Sequence, residues 1–532
     1  MDTEARDKRN LRRSFLKLAG MGAAAAAVTG TLPGTAQAAE AANIYSGPVP
    51  KNWDGQYDLV IVGGGGTGLC AGVEAVQKGI KPLIIEKRTF IGGVAAMASG
   101  YIYGGSSRLQ QEQGIKDCSK ELWWSKMENG TAWSEPIKRV RDNSNLSPVY
   151  YGLAKRNTQL MKDIQYSFPS LIDFLLKYGA QFEAVDQRLP FLIHMYKGSL
   201  PRIFRNVSDQ IRSSGGKFLT DTRANKIYLD DKGKVIGIRA AMADGKMMNI
   251  KTRALLMASG GFLNNDELIK RYMPYWATKG KVPSAFLFSD GGALFEHTGD
   301  GIVMGLEINA SLDDMDAGFK YKIAPKNRGD AVVNGIIMIQ SPCIFVTPEG
   351  KRVVDERLNY TIATMNLIRV GAKYGYFVFD DAAMSSPGAK NFDLATLVQN
   401  GTIYKADTLK EAAMKAGVEP IGLQATVDQF NKDFDEKGVD SVFGKTGPFY
   451  QKIVKPPFYV SEKHYPVRFK TEGGLETDES TRVLEYRSVK PIPGFYAAGA
   501  TSGTCSAALG DTMTCGRLAA DYIAEDMKTR KI

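Results

Sequence analysis

Three glycine turns, each closing an apolar run, predict an α/β fold built on a parallel sheet. They lie in "YDLVIVGGGGTGLCAGVEAVQKGIKPLIIEK" (57–87), "ALLMASGGF" (254–262) and "PGFYAAGATSG" (493–503). The first reads strand, turn, helix, strand: Leu59–Val62 is an apolar run fit for a buried parallel strand, and Pro82 precedes the next one at Leu83–Ile85. Ala71, Val73, Ala75 and Val76 give the intervening helix a small-residue face.

In that unit Gly63-x-Gly65-x-x-Gly68 supplies what a dinucleotide pyrophosphate requires. The first glycine makes the tight turn, the second lets backbone approach the phosphates, and the third lets helix and strand pack closely. The helix N-terminus then favours the negative charge. Glu86, 18 residues after Gly68 at the end of the second strand, is placed to accept ribose hydroxyls. Strand, glycines, helix, strand and acid in this order make a specific signal.

Further elements follow in order. A helical pattern dominates from about 146 to 215, and short alternating strands run from 218 to 257 with turns at "DDKGK" and "ADGK". The stretch from about 316 to 470 mixes hairpins and helices with a charge run, "NKDFDEKGVD", expected to be solvated. The chain ends in a Gly/Ala-rich turn and a helix beginning in "ALGDTMTCGRLAADYI".

Composition narrows the function classes. Of 532 residues, 44% are hydrophobic and 23% charged, as in ordinary globular proteins of more than one core. The first 38 residues hold six Lys/Arg and three Asp/Glu, so +8 of the formal +11 belongs to the rest, without a basic block. That suits an anionic small molecule or acidic partner rather than nucleic acid. Five cysteines without a CxxC argue against iron–sulfur, haem-attachment and disulfide frameworks, and three histidines against a His-rich metal site. Arg12-Arg13, a mildly apolar Ala/Gly stretch and Ala36-Gln37-Ala38 resemble a twin-arginine export signal over residues 1–38, although Leu11 stands where Ser or Thr is usual. Export to the periplasm is the expectation. No later run supplies the ~20 apolar residues of a membrane helix.

Three features choose FAD over NAD: the extended Gly/Ala path "IGGVAAMASGYIYGG" (91–105) for a ribityl chain, the second turn "MASGG" (257–261), and the third turn with its following helix. The combination resembles the fumarate reductase/succinate dehydrogenase flavoprotein superfamily, which also holds urocanate reductases and 3-ketosteroid dehydrogenases. The resemblance covers essentially all of 57–525. It implies a Rossmann-like FAD-binding domain (48–315 and 471–532) with an inserted α+β capping domain (316–470). The implied FAD contacts are Gly63, Gly65, Gly68, Glu86, Gly93, Ala98, Ser99, Gly100, Ala258, Asp300 (in "HTGDGIVMG"), Ala500, Met513 and Thr514. His297, beside Asp300, reads as a helix-surface histidine.

The same resemblance carries the chemistry. Fumarate reductases end the equivalent of "GKRVVDERLNYT" in a proton-donating arginine; here Tyr360 stands there, as in ketosteroid dehydrogenases. A phenol of pKa ~10 stays protonated at neutral pH, and a neighbouring cation, Arg357, would help it act. The carboxylate-clamping arginine is replaced by Ala508, a substrate-binding histidine by Lys470, the cap "HPT" by a region holding Tyr321, and the proton relay by apolar "NGIIMIQS". Without the bidentate arginine a C4 dicarboxylate is disfavoured. Tyr101, Tyr103, Tyr321, Ile336–Ile339 and Lys470 suit a conjugated alkene: an aryl acrylate, a stilbene-like phenol or an enone. Three functions stay open: an alkene reductase fed by a separate donor such as a c-type cytochrome or quinol dehydrogenase, a ketosteroid-type dehydrogenase running the reverse reaction, and a flavin electron carrier.

Overall fold

The computed structural model describes residues 48–98, 101–116, 119–122, 124, 158–185, 193–197, 200–273, 297–315, 319–325, 342–356, 360–386, 394–447, 449–471, 473–505, 508–529 and 532. Six strands matter for the site: β1 (Gly55–Val62), β2 (Pro82–Ile85), β3 (Met247–Met257), β4 (Phe319–Pro325), β5 (His464–Thr471) and β6 (Pro491–Ala497). So do three helices, α1 (Gly66–Gln77), α2 (Tyr360–Arg369) and α3 (Leu509–Lys528).

The larger sheet runs Arg482–Leu484, β6, β3, β1, β2, Lys217–Leu219, with the hairpin Thr222–Leu229/Val235–Met242 added antiparallel to β3. From β6 to Lys217–Leu219 every pairing is parallel. Strand alternation divides β1 between two cores: Leu59 and Ile61 join one with α1 and α3, while Val60 and Val62 join the other with Leu83, Leu255 and Phe495. Both faces are covered, so the continuous apolar runs are the expected sequence of such strands. Each fully buried aliphatic side chain contributes about 1.5–3 kcal/mol.

A second sheet, antiparallel, runs Ile344–Val346, Tyr376–Asp380, Phe458–Ser461, Ile403–Ala406. It too is buried on both faces. Ile344, Val346, Tyr376, Val378 and Val460 pack into one cluster, and Phe345, Phe377, Phe379 and Tyr459 into another. The strands of the larger sheet come from 55–257 and 482–497, those of the smaller from 344–461. Outgoing β4 and returning β5 pair antiparallel between them, from Phe319 opposite Thr471 to Pro325 opposite His464. The fold is a Rossmann-like α/β domain with an inserted α+β domain.

Several local expectations are corrected. The helical stretch before 215 is interrupted by strands Gln181–Phe182 and Ile193–Lys197, the second of which buries His194. The path 91–105 is not extended throughout, since Gly93–Met97 forms one 3-10 turn. The charge run "NKDFDEKGVD" is not simply solvated. It is the end of helix Pro420–Lys437 and its exit, and it buries Asp433 and Asp440. Asp433 accepts from the Ser441 amide and hydroxyl, Lys437 and Gln429, closing that helix end. The periodicity of charge along the chain could not reveal this, because the partners come from the following loop.

Candidate active site

The three glycine turns converge because their strands are neighbours. Val62 pairs with Met257 and Met257 with Ala497, so β1, β3 and β6 end in register. The turns continue that register: the Ala258 amide donates to Val62 O at 2.9 Å and the Ala498 amide to Met257 O at 3.0 Å. This carboxyl edge of a parallel sheet is where open α/β folds bind ligands.

Each glycine of the first turn answers to a different constraint. Gly63 has φ +113°, and a Cβ there would lie 2.2 Å from Ala258 O. A Cβ on Gly68 would lie 1.9 Å from Gly63 O, so this glycine closes helix onto strand. Gly65 faces open space, its nearest foreign atom being Gly93 Cα at 4.0 Å. No side chain caps the first turn of α1 and no acid stands in it. Amides at such an end suit a phosphate. The turn therefore fits a dinucleotide: two glycines are required by packing and one by approach from outside.

Glu86 is held facing this turn. Its carboxylate accepts from the Gly64 amide at 2.8 Å and the Arg88 amide at 2.9 Å. Two amides orient the group, and a carboxylate with about four acceptor positions keeps capacity for hydroxyls. Gly92, which sequence reasoning passed over, donates its amide to Gly64 O at 2.8 Å and has φ +106°. It sets Gly93 beside Gly65, and the paired glycines at 92–93 were the available signal. Ala98 follows the 3-10 turn and packs at the edge of the core under α1.

The second and third turns touch. Thr501 Oγ1 donates to Gly260 O at 3.2 Å, and a Cβ on Gly261 would sit 3.6 Å from Ala500 O. The first turn of α1 packs against Met513–Gly516 of α3: a Cβ on Gly516 would lie 2.3 Å from Thr67 O, and one on Gly66 3.6 Å from Met513 Cγ. Met513 and Thr514 are both buried there. The described flavin candidates thus gather on one edge of the sheet, while Ser99 and Gly100 lie outside the described residues.

Asp300 begins the helix Asp300–Glu307 and is already engaged. Its oxygens take a bidentate bond from Arg223 (2.7 and 3.0 Å), the Thr298 hydroxyl at 2.7 Å and Lys87 at 3.4 Å. Burial pushes its carboxyl up, but these donors more than offset that and hold it below the ordinary value. Asp300 ties the residue after Glu86 to this helix, so any contact it makes with FAD is shared with these donors. His297 is not on the helix surface. It precedes the helix, half-buried against Gly260, with Nε2 3.4 Å from that glycine's Cβ position. Burial, aided by Lys87, pushes its imidazole down to about 4.

The substrate candidates lie on elements that pack together. Tyr360 is the first residue of α2, which packs against both β4 and β5. Tyr321 is paired with Arg468 and Lys470 with Lys320, across a bulge. Next to Lys470, buried Thr471 accepts from the Phe262 amide at 3.2 Å, and a Cβ on Gly261 would meet its Oγ1 at 2.1 Å. β5 is thereby fastened to the second glycine turn. Tyr101 opens the strand Tyr101–Tyr103, which pairs with Ile193–Lys197 and packs against α3. Beneath it, Ser107 and His194 Nε2 are hydrogen-bonded at 2.5 Å, both fully buried. Arg357 and Ile336–Ile339 lie outside the described residues.

Ahead of Tyr360, residues 352–356 bury charge rather than expose it. Arg352 and Glu356 are ion-paired with side chains 4% and 0% exposed, and Asp440 and Lys445 complete a buried group of four charges. Sequence showed only the i, i+4 spacing of the first pair. Among the described residues no cluster of His, Cys, Asp and Glu could hold a metal, and no helix is long and apolar enough to cross a membrane.

Comparison with known proteins places this geometry. Residues 58–260 match the FAD dependent oxidoreductase family and residues 177–510 the FAD binding domain family. The chain is 27% identical to an NADH:acrylate oxidoreductase of Vibrio harveyi, over 88% of this chain and 50% of that protein. It is 26% identical to an NADH:fumarate oxidoreductase of Klebsiella pneumoniae, over 84% and 44%. A vinyl phenol reductase of Lactiplantibacillus plantarum is 24% identical over 83% of this chain and 89% of that protein. The chain thus spans about half the length of the first two. Among solved structures, a flavocytochrome c3 fumarate reductase superposes with TM-score 0.67 at 20% identity, covering 89% of this chain and 79% of that one. A 3-ketosteroid-Δ4-(5α)-dehydrogenase from Rhodococcus jostii also gives 0.67, at 23% identity, covering 90% and 99%. The match over residues 177–510 covers more than half of the chain, so the chain belongs to the FAD binding domain family.

Proposed function

We propose that this protein is an exported reductase of an activated carbon–carbon double bond, acting on an aryl acrylate, a stilbene-like phenol or an enone rather than on fumarate. Bound FAD supplies the hydride equivalent for such a reduction. The task left to the chain is to bind the alkene, exclude water and deliver a proton to the second carbon. Tyr360 is the donor in this reading, with the Arg357 cation to assist it. A phenol is protonated at neutral pH, and proton donation by a positioned side chain is worth roughly 10²–10⁴ in rate.

The observation that carries the reading is the packing of α2 on β4 and β5. It joins the elements that carry Tyr360, Tyr321 and Lys470, and Thr471 fastens β5 to the second glycine turn. The inserted domain, residues 316–470, then acts as the cap over the flavin. Ala508, which precedes the first turn of α3, offers no fork for a dicarboxylate. The vinyl phenol reductase among the relatives, overlapped along most of its length, is named for an aryl alkene.

The Arg12-Arg13 pattern supports export by the twin-arginine route to the periplasm. There a separate electron donor, such as a c-type cytochrome or quinol dehydrogenase, would reduce the flavin.

The test is anaerobic oxidation of a reduced viologen dye by the purified flavoprotein, offering fumarate, urocanate, cinnamate-type acids, a hydroxystilbene and a steroid enone. Rapid turnover with one non-dicarboxylate alkene is expected. Fumarate as the preferred substrate would overturn the reading of Ala508. Silence with every alkene, together with turnover of a 3-ketosteroid and an artificial acceptor, would replace reduction by the reverse reaction. Tyr360→Phe should keep FAD and lose most turnover; normal turnover would remove Tyr360 from the chemistry.

A further inference from the structure

The segment 350–356, ahead of Tyr360 in the chain, is anchored on both sides. On the near side, Arg352 donates Nε and one terminal nitrogen to the two Glu356 oxygens, each at 2.9 Å, and its other terminal nitrogen lies 2.8 Å from Asp440. Glu356 also accepts from the Phe345 amide at 3.0 Å and from Lys445 at 3.1 Å. Lys445 bonds the Cys343 carbonyl at 2.5 Å, and Arg352 lies over the rings of Phe430 and Phe443. Asp440 receives the Val442 and Phe443 amides. Two cations and two anions are therefore buried together with their charges balanced.

Three elements meet in this group: strand Ile344–Val346, the 350–356 segment and the loop after helix Pro420–Lys437. Burial by itself would raise the Glu356 carboxyl, yet Arg352, Lys445 and the Phe345 amide hold it down to about 2. On the far side, Asn366 of α2 donates to Val353 O at 2.9 Å. Ala363 and Leu367 of the same helix pack with Val353 and Val354 in one cluster.

A buried ion group is weak evidence for stability, because apolar side chains of similar volume often serve as well. What it gives is a single geometry, since fork, amide and lysine must all be satisfied at once. Glu356 stands four residues before Tyr360, the first residue of α2.

We propose that Arg352, Glu356, Lys445 and Asp440 form a positioning network for the proton donor Tyr360, fixing the start of α2 relative to the ribbon β4–β5. The proposal rests on the reading of Tyr360 given above. These are positioning residues, acting through Tyr360 without touching substrate.

The test is the paired variant Glu356→Gln/Lys445→Met, which removes one charge of each sign and leaves Arg352 with Asp440. With bound FAD at the parental level, kcat should fall tenfold or more, KM should stay within about twofold, and the solvent isotope effect on kcat should rise. In the Tyr360→Phe background the paired variant should cost nothing further, because residues acting through one group are not additive. If the paired variant does not fold, Asn366→Ala loosens the same segment from the helix side and should show the same signature at a smaller size. Parental kcat and isotope effect in a folded variant would overturn this inference while leaving Tyr360 as donor. An equal fold-loss in both backgrounds would also overturn it. Full turnover by Tyr360→Phe alone would instead overturn the donor reading beneath it.

Discussion

The flavin edge and the segment before Tyr360 are built from opposite materials. At the edge, backbone approaches backbone: Gly63 against Ala258, Gly68 against Gly63, Gly516 against Thr67. In the inserted domain the same closeness comes from long charged side chains, with Arg352, Glu356, Asp440 and Lys445 each 4% exposed or less. The first device works by having no side chain, and is rigid because neighbouring strands hold it. The second works by satisfying every donor and acceptor around charges removed from water. Each fails differently, and that is how the comparison is tested.

The largest effect is expected at the glycines. Gly68→Ala places a carbon 1.9 Å from Gly63 O, so helix and strand must separate. Bound FAD, read from flavin absorbance per chain, should fall at least tenfold. Gly65→Ala meets nothing closer than 4.0 Å in the protein, so the fold should survive and only FAD affinity should drop. Equal behaviour of the two variants would break the division between packing and approach glycines.

Next in size is Glu356→Gln alone. It leaves Lys445 and Arg352 with one anion between them, and breaking a buried pair typically costs about 3–5 kcal/mol. Denaturant unfolding should show that loss with FAD content at native pH nearly unchanged. A loss below about 1 kcal/mol would mean the group is far better hydrated than its burial indicates.

The smallest effect concerns pH. His464 opens β5, 2% exposed, with Nδ1 at 2.7 Å from the Glu462 carbonyl. Burial pushes its imidazole down to about 4 from an ordinary 6.5, the carbonyl bond opposing. The unfolded chain therefore takes the proton first, and stability falls as pH drops from about 6.5 towards 4. His464→Gln should lower stability at pH 7 by about 1 kcal/mol through the altered hydrogen bonds, yet flatten that acid slope. His297 shifts in the same direction, so the slope should shrink without vanishing. An unchanged difference between pH 7 and pH 5 would show that His464 is not held neutral.

The contrast also explains which residues could be read in advance. Gly63, Gly65 and Gly68 form a pattern within six residues, and the run Leu59–Val62 carries its own burial. Gly92 was in view but had no partner in the sequence; its role appears only when its amide meets Gly64 O. Asp433 and Asp440 read as solvent-facing because charges usually are, and only the loop they close reveals otherwise. His297 was misjudged for the same reason, since the Gly260 turn that covers it lies nearly forty positions earlier.

What the sequence determined by itself was local: strands as apolar runs, turns as glycines with nowhere for a side chain to go, and a helix start able to favour phosphate. Those follow from sterics and periodicity within a few residues, so the α/β class and the FAD edge were legible. Tertiary structure alone decided which turns meet, how β5 is fastened through Thr471, and where four charges, among them Glu356 and Lys445 at a separation of 89, neutralise one another. Burial reverses the ordinary preference of a charge, and burial is a property of the assembled chain.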